Sequence, residues 1–284
     1  MSSQPIRDPG GAPGVLTPGG GLRHSLQIVR TYLRLGVLNI VQYRGEFWVA
    51  VVNALITLAA QILGLAVIFG QTTQLAGWTP AGLITLIGVH FFLAGLIGLV
   101  IQPSMEQLME GIRLGTFDFT LTKPADSQLL ASVQVVSPAR LVDTLLGLGV
   151  IAYGITRIGN PISAGQWLAF AIALACGVVI VYAFLMLLST CAFWFVKLEN
   201  ILAVFSTVFG QAGRWPLTIF PSWLRLALTF IIPVGFAVTV PAQALAGGLQ
   251  LIMVPAAIGV AAAFFIGARL FWRYALRHYT GASA

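Results

Sequence analysis

The stretch FWVAVVNALITLAAQILGLAVIF, residues 47–69, runs 23 residues without a charged side chain. As a helix rising 1.5 Å per residue it would be about 35 Å long, enough to cross a bilayer core of about 30 Å. Its leading aromatic pair, Phe47 and Trp48, suits the water–lipid boundary. Working outward, the same pattern returns: residues 81–101 are uncharged, as are 31 residues from Gln166 to Val196 and 43 from Leu226 to Ala268. The whole chain of 284 residues is 58% hydrophobic and 8% charged, with a mean hydropathy of +0.93. A soluble domain carries about 25% charged residues, so a soluble fold is excluded. Strand-like alternation is absent, which excludes a barrel and predicts an all-α polytopic membrane protein.

Six transmembrane helices are expected, at about 47–69, 81–101, 139–158, 166–196, 200–214 and 249–272. Residues 1–22, punctuated by Pro5, Pro9, Pro13 and Pro18, lack the apolar core of a secretory signal and are expected to form a disordered cytoplasmic tail. In 23–46, Leu26, Val29, Leu33, Val37 and Ile40 recur at helical spacing, with Arg23, Arg30 and Arg34 on another face. That pattern predicts an amphipathic interfacial helix whose arginines meet lipid headgroups. Residues 215–245 are apolar but broken by Pro233 and Pro241, which predicts a re-entrant hairpin before the last span, beside a cavity or protein seam that satisfies its backbone. With six spans only Arg157, Arg214 and Arg225 of the fifteen Lys and Arg fall opposite the starting side. Positive-inside bias then puts both termini and the 273–284 tail in the cytoplasm, in a multi-pass inner (cytoplasmic) membrane protein. The basic residues are spread over several segments, so the pI of 10.0 reflects headgroup contact rather than nucleic-acid binding.

Chemistry is sparse. No G-x-x-x-x-G-K-[ST], H-E-x-x-H or G-x-S-x-G occurs, and there are eight acidic residues and three histidines in all. No catalytic residue, metal site or cofactor is therefore assigned to this chain. Cys176 and Cys191, fifteen residues apart in one apolar run, would lie about 22 Å apart on a helix and share neither a disulfide nor a metal. Asn53, Thr57 and Gln61 fall on one face of the first span at i, i+4, i+8 and must face a helix or an aqueous path. His90, midway along the second span, reads as a neutral, hydrogen-bonded core residue before it reads as a proton relay. Asp143, one turn from Arg140, reads as an interfacial ion pair. In the longest internal polar stretch, Pro103 stands at a plausible first turn and Met105, Leu108, Met109 and Ile112 form one stripe. A short amphipathic helix over 103–112 is expected there, rimmed by Glu106, Glu110 and Arg113.

Three blocks carry a resemblance: Tyr43-Arg44-Gly45-Glu46 ending the basic surface helix; Glu110-Gly111-Ile112-Arg113-Leu114-Gly115-Thr116-Phe117-Asp118-Phe119 with Lys123-Pro124; and Arg214-Trp215-Pro216 through Phe220-Pro221, Ile232-Pro233 and Val240-Pro241-Ala242. In that order, over about residues 25–275, they resemble the permeases of the ABC type-2 exporter class, with the type V fold. The resemblance implies a subunit that pairs with a second permease, identical or homologous, and with two cytoplasmic ABC ATPase subunits that hold the ATP and Mg. It also implies that the surface helix is an elbow helix. Glu106, Met109, Glu110, Ile112 and Arg113 would form an ATPase-coupling helix docking its apolar stripe in a groove. Asn53, Thr57, Gln61 and His90 would be candidates for the translocation path, and Pro233 and Pro241 for the outer gate. The competing readings are an ion-gradient-driven carrier or channel, which would depend on His90 or Asp143, and a non-transporting membrane scaffold.

Overall fold

The computed structural model describes residues 44–123, 125–159, 161–195, 200–250 and 252–279. The expected N-terminal tail and nearly all of the 23–46 helix lie outside these residues, as do Pro124 and residues 196–199. Every described element is helical: α1 (Arg44–Phe69), α2 (Pro80–Arg113), α3 (Asp118–Leu121), α4 (Ser127–Ser132), α5 (Leu141–Arg157), α6 (Ala164–Thr190), α7 (Ile201–Ala212), α8 (Ser222–Ile231), α9 (Gly235–Ala246) and α10 (Met253–His278). Five of these, α1, α2, α5, α6 and α10, are long and apolar enough to cross a membrane, and a sixth crossing is reached if the bent pair α8–α9 is counted as one. α7, expected as a span over 200–214, has 12 residues and is about 18 Å long, shorter than a bilayer core of about 30 Å. Residues 44–46 belong to the first span helix, and α10 continues past 272 to His278.

The helix starts are chemically marked. Thr79 caps α2, its Oγ1 accepting from the Gly82 N–H at 3.2 Å with Pro80 at the first turn. Ser163 and Gln166 form a reciprocal capping box at α6, with bonds of 3.3 and 2.8 Å. Asp126 caps α4 through the N–H groups of Gln128 and Leu129.

Prolines shape the rest. Pro103 does not start a separate loop helix; it lies inside the continuous helix α2, directly after a π turn at Ile97–Ile101. A proline has no N–H for the carbonyl four residues back and its ring crowds that carbonyl. The carbonyl concerned, Leu99, accepts instead from the Ser137 N–H at 2.8 Å, tying the start of α5 to α2. π turns precede two further prolines. A π turn at Ala227–Ile231 precedes Pro233, and another at Gly235–Thr239 precedes Pro241. Between them the chain bends by 84°, and both prolines are buried. Thr218 Oγ1 donates to the Ala76 carbonyl at 3.2 Å, and a Cβ on Gly82 would lie 3.4 Å from that of Ala246. The segment leading into α8 and the end of α9 therefore both sit at the 76–82 end of the bundle.

The tightest seam joins α2 and α5. Gly88 and Gly95 on one helix, and Gly147 and Gly154 on the other, repeat every seven residues and face the opposite backbone. A Cβ on Gly88 would come within 2.6 Å of the Ile151 nitrogen, and one on Gly147 within 2.9 Å of the Gly88 carbonyl. Small residues let membrane helices pack backbone to backbone where lipid offers no hydrophobic drive. α6 packs against α10 and α9, with Gly177 against the Ala237 carbonyl. α1 is the outlier, since most of its residues are exposed.

Candidate functional site

A cavity of about 200 Å³ opens between α1, α2, the start of α5 and the end of α7. Asn53, Thr57 and Gln61 line it from α1 and His90 from α2, so the structure brings together all four residues that the sequence singled out for a path. Arg140, Asp143 and Arg214 complete its polar wall. Gln61 and Arg214 also line a second cavity of about 160 Å³, together with Gly64 and Trp215, so this pair stands where the two spaces meet. Ala50, Ala54, Ala60 and Gly64 flank the polar stripe on α1, and Asn53, Ala60 and Gly64 are exposed. The cavities are thus reached sideways, across a face of small residues.

His90 is 5% exposed and its ring lies 5.4 Å from that of Phe209. The expected hydrogen bond to a neighbour is absent: His90 Nδ1 and Gln61 Oε1 are buried polar atoms without a partner among the described residues. Gly213 makes the close approach possible, since a Cβ there would lie 2.7 Å from His90 Nδ1. Arg140 and Asp143 pair with each other at 3.3 Å, as expected. Arg214 differs. Its Nε donates to the Gly210 carbonyl at 2.7 Å, and among the described residues no carboxylate lies within ion-pair distance of it. It stands two residues past the end of α7, and His90 stands about 15 Å from the start of α2.

The far end of α2 carries the residues expected to couple to a motor. Glu106 and Arg113 are exposed and Glu110 half-exposed; Arg113 binds Glu110 through two bonds of 2.6 and 2.9 Å, and Gln102 donates to Glu106 at 2.9 Å. The apolar stripe does not face outward. Met105 is fully buried, Leu108 and Met109 nearly so, and Ile112 packs against the same core, so the stripe is spent inside this chain. Exposed apolar surface at this end comes instead from Leu114, at 60%, and Phe119, at 73%. The intervening Phe117 is buried in a ring cluster with Phe193, Trp272 and Tyr279, at centroid distances of 5.7, 5.8 and 6.1 Å.

Against known families, residues 55–283 match the model of the ABC-2 family transporter protein. The chain belongs to that family. No match was found among curated proteins. Membership makes this ABC-2 chain a membrane-spanning transporter component, and its apolar helices agree with a multi-pass membrane protein.

Two features of this ABC-2 transporter protein escape sequence reasoning. By sequence Arg214 interrupts a span, whereas the structure makes it a member of the polar cavity; a lone arginine in an apolar block was the available signal. The second is a polar clamp at the charged end. Arg269 on α10 pairs with Asp126, donates to Asp126 Oδ1 at 3.0 Å and to Gln128 Oε1 at 2.7 Å. Gln128 and Ser132 in turn meet the Tyr182 hydroxyl at 3.3 and 2.8 Å, and the Trp272 indole donates to Ser127 at 3.3 Å. The Arg269 hydrogen bond holds the Asp126 carboxyl below the usual carboxylate range, partial burial opposes it, and the Leu129 and Gln128 N–H groups add to the lowering. The signal for Asp126 was its place as an N-cap before Ser-Gln-Leu-Leu.

Proposed function

We propose that this chain is the permease subunit of an ABC exporter in the cytoplasmic membrane, moved by ATP that separate cytoplasmic ABC ATPase subunits hydrolyse with Mg. It works beside a second permease, identical or homologous, with both termini cytoplasmic, a topology in which α7 and the residues flanking it make the short sixth crossing and α8–α9 is re-entrant. The observation that carries the reading is α2: one continuous helix with a charged, exposed end at Glu106, Glu110 and Arg113 and a polar cavity some 20 residues away at His90. A push at one end reaches the other through about 30 Å of hydrogen-bonded backbone. In this reading Met109 and Ile112 are the inner face of the coupling element, and the apolar part of the ATPase contact falls to Leu114 and Phe119. Asn53, Thr57, Gln61 and His90 line the path. Pro233 and Pro241 break a re-entrant hairpin, α8–α9, that closes its outer end, a role supported by the segment leading into α8 and the end of α9 lying near residues 76–82.

The test is purification of the native complex from membrane. A P-loop ATPase should co-purify in fixed stoichiometry, and the chain alone in liposomes should move nothing. Solute movement without nucleotide or companion would overturn the proposal.

A further inference from the structure

The two joined cavities carry an inference about cargo, and it rests on the permease reading above. Arg214 is half-buried in the cavity wall, with one backbone carbonyl as its hydrogen-bond partner among the described residues. Its neighbours in the wall are unsatisfied as well: Gln61 Oε1 and His90 Nδ1 have no partner among the described residues. The Asp143 carboxylate in the same wall is engaged by Arg140. A charge of this kind is costly to bury and persists where a partner of opposite sign arrives. Other arginines on the chain show the contrast. Arg225 donates to the carbonyls of Leu217, Thr218 and Phe220, and Arg157 stands 5.2 Å over the Tyr153 ring.

The approach to Arg214 is lateral. Ala60 and Gly64 present a low, exposed rim on α1 beside Gln61, so a headgroup can enter from the bilayer while its tail stays in lipid. On the opposite flank of α1 an apolar groove of about 510 Å³, lined by Ile62, Ile84, Leu145 and Tyr153, gives hydrocarbon a surface to follow. We infer that Arg214 receives the phosphate-type anion of an amphiphile, with the Gln61 side-chain amide N–H, after rotation of that amide, and a His90 ring N–H as further donors around it. Guanidinium matches phosphate oxygens in a two-pronged geometry, and a water-poor surrounding strengthens the bond.

Trp215 lines the second cavity beside Arg214 and reports on the site. The full chain is placed in vesicles of phosphatidylcholine containing acyl-brominated phosphatidylglycerol, or brominated phosphatidylcholine at the same fraction. The quenching lost in Trp215→Phe is the Trp215 signal. The expected result is a preference for the anionic lipid on the order of tenfold, abolished by Arg214→Gln, largely kept by Arg214→Lys and untouched by Arg225→Gln. Equal quenching by both lipids, or a preference that survives Arg214→Gln, overturns the inference. So does equal loss in Arg225→Gln, which would mark a general surface-charge effect. Full competition by millimolar inorganic phosphate would assign the site to a free anion and overturn the amphiphile. The readout needs no nucleotide, so it fails or succeeds apart from the search for an ATPase partner.

Discussion

Replacing Gly88 by Ala adds one methyl group at the closest point of the α2–α5 seam. The new Cβ would lie 2.6 Å from the Ile151 backbone nitrogen and 2.8 Å from Ile151 Cγ1. The side-chain carbon can rotate away, but the nitrogen is part of a helix. Non-bonded heavy atoms rest at about 3.5 Å or more, so the two helices must separate by about 1 Å. Overpacking on this scale costs about 1–3 kcal/mol, partly offset by a gain of about 0.5–1 kcal/mol from removing a helix-interior glycine. Gly149 on α5 is the internal control, because nothing lies within 4 Å of its Cβ position. Gly149→Ala should keep only the helix gain. Size-exclusion melting of the detergent-solubilised chain reads the difference, at about 2–4 °C per kcal/mol for a chain of this class. Gly88→Ala should melt below the parent and Gly149→Ala at or above it. If Gly88→Ala melts at or above the parent, the helices are not in backbone contact at Gly88 and the seam is wrongly drawn.

Met109→Asp should reduce the amount of folded chain, since a carboxylate would replace a side chain that is 8% exposed, whereas Met109→Leu should cost less than about 1.5 kcal/mol in the same melting assay. Phe119→Asp, at a site 73% exposed, should leave melting unchanged and reduce ATPase co-purification. Asp126 has a folded-state carboxyl held below its usual value, so its contribution is complete above about pH 4 and is lost as pH falls through the lowered value. The pair with Arg269 is part-exposed, which limits the effect to about 1 kcal/mol or less. Asp126→Asn should therefore melt slightly lower at pH 7 and show a flatter loss of stability between pH 5 and pH 3.

The spans were legible because an uncharged run of 20 or so residues is too long and too apolar to sit anywhere but in lipid or a deep core. Polar side chains on α1 were legible for a similar reason, as Asn53, Thr57 and Gln61 share a face that lipid would penalise. What the sequence hid was continuity. Pro103 reads as a helix start by local rules, yet it sits inside α2 because a π turn moves the Leu99 carbonyl out of its way and the Ser137 N–H donates to that carbonyl. Such a rescue depends on a residue 38 positions from Leu99 and has no local signature. The stripe Met105–Ile112 was legible as amphipathic, but periodicity gives a face without saying which neighbour covers it. Here Phe117 and the helices of the chain itself cover it. The Arg214 cavity was hidden for a related reason, since its walls come from four segments separated by up to about 160 positions of sequence.

The packing also decides which wall of the cavity can move. α2 and α5 are locked by the glycine seam and by the Ser137–Leu99 bond, so they behave as one body over most of their length. α1 contributes the opposite wall and has little of its surface buried within the chain. Domain motion falls where contacts are few, so under the proposed transport cycle widening should occur between α1 and the α2–α5 pair rather than within that pair. Spin labels on the exposed positions Val67 and Tyr153 report the first separation, and labels on Gln107 and Leu148 report the second. In the ATPase-bound complex, trapping with a non-hydrolysable nucleotide should change the Val67–Tyr153 distance distribution and leave that of Gln107–Leu148 within error. A shift confined to the second pair would mean that the glycine seam slides, and the division of the bundle into a fixed and a moving wall would be wrong.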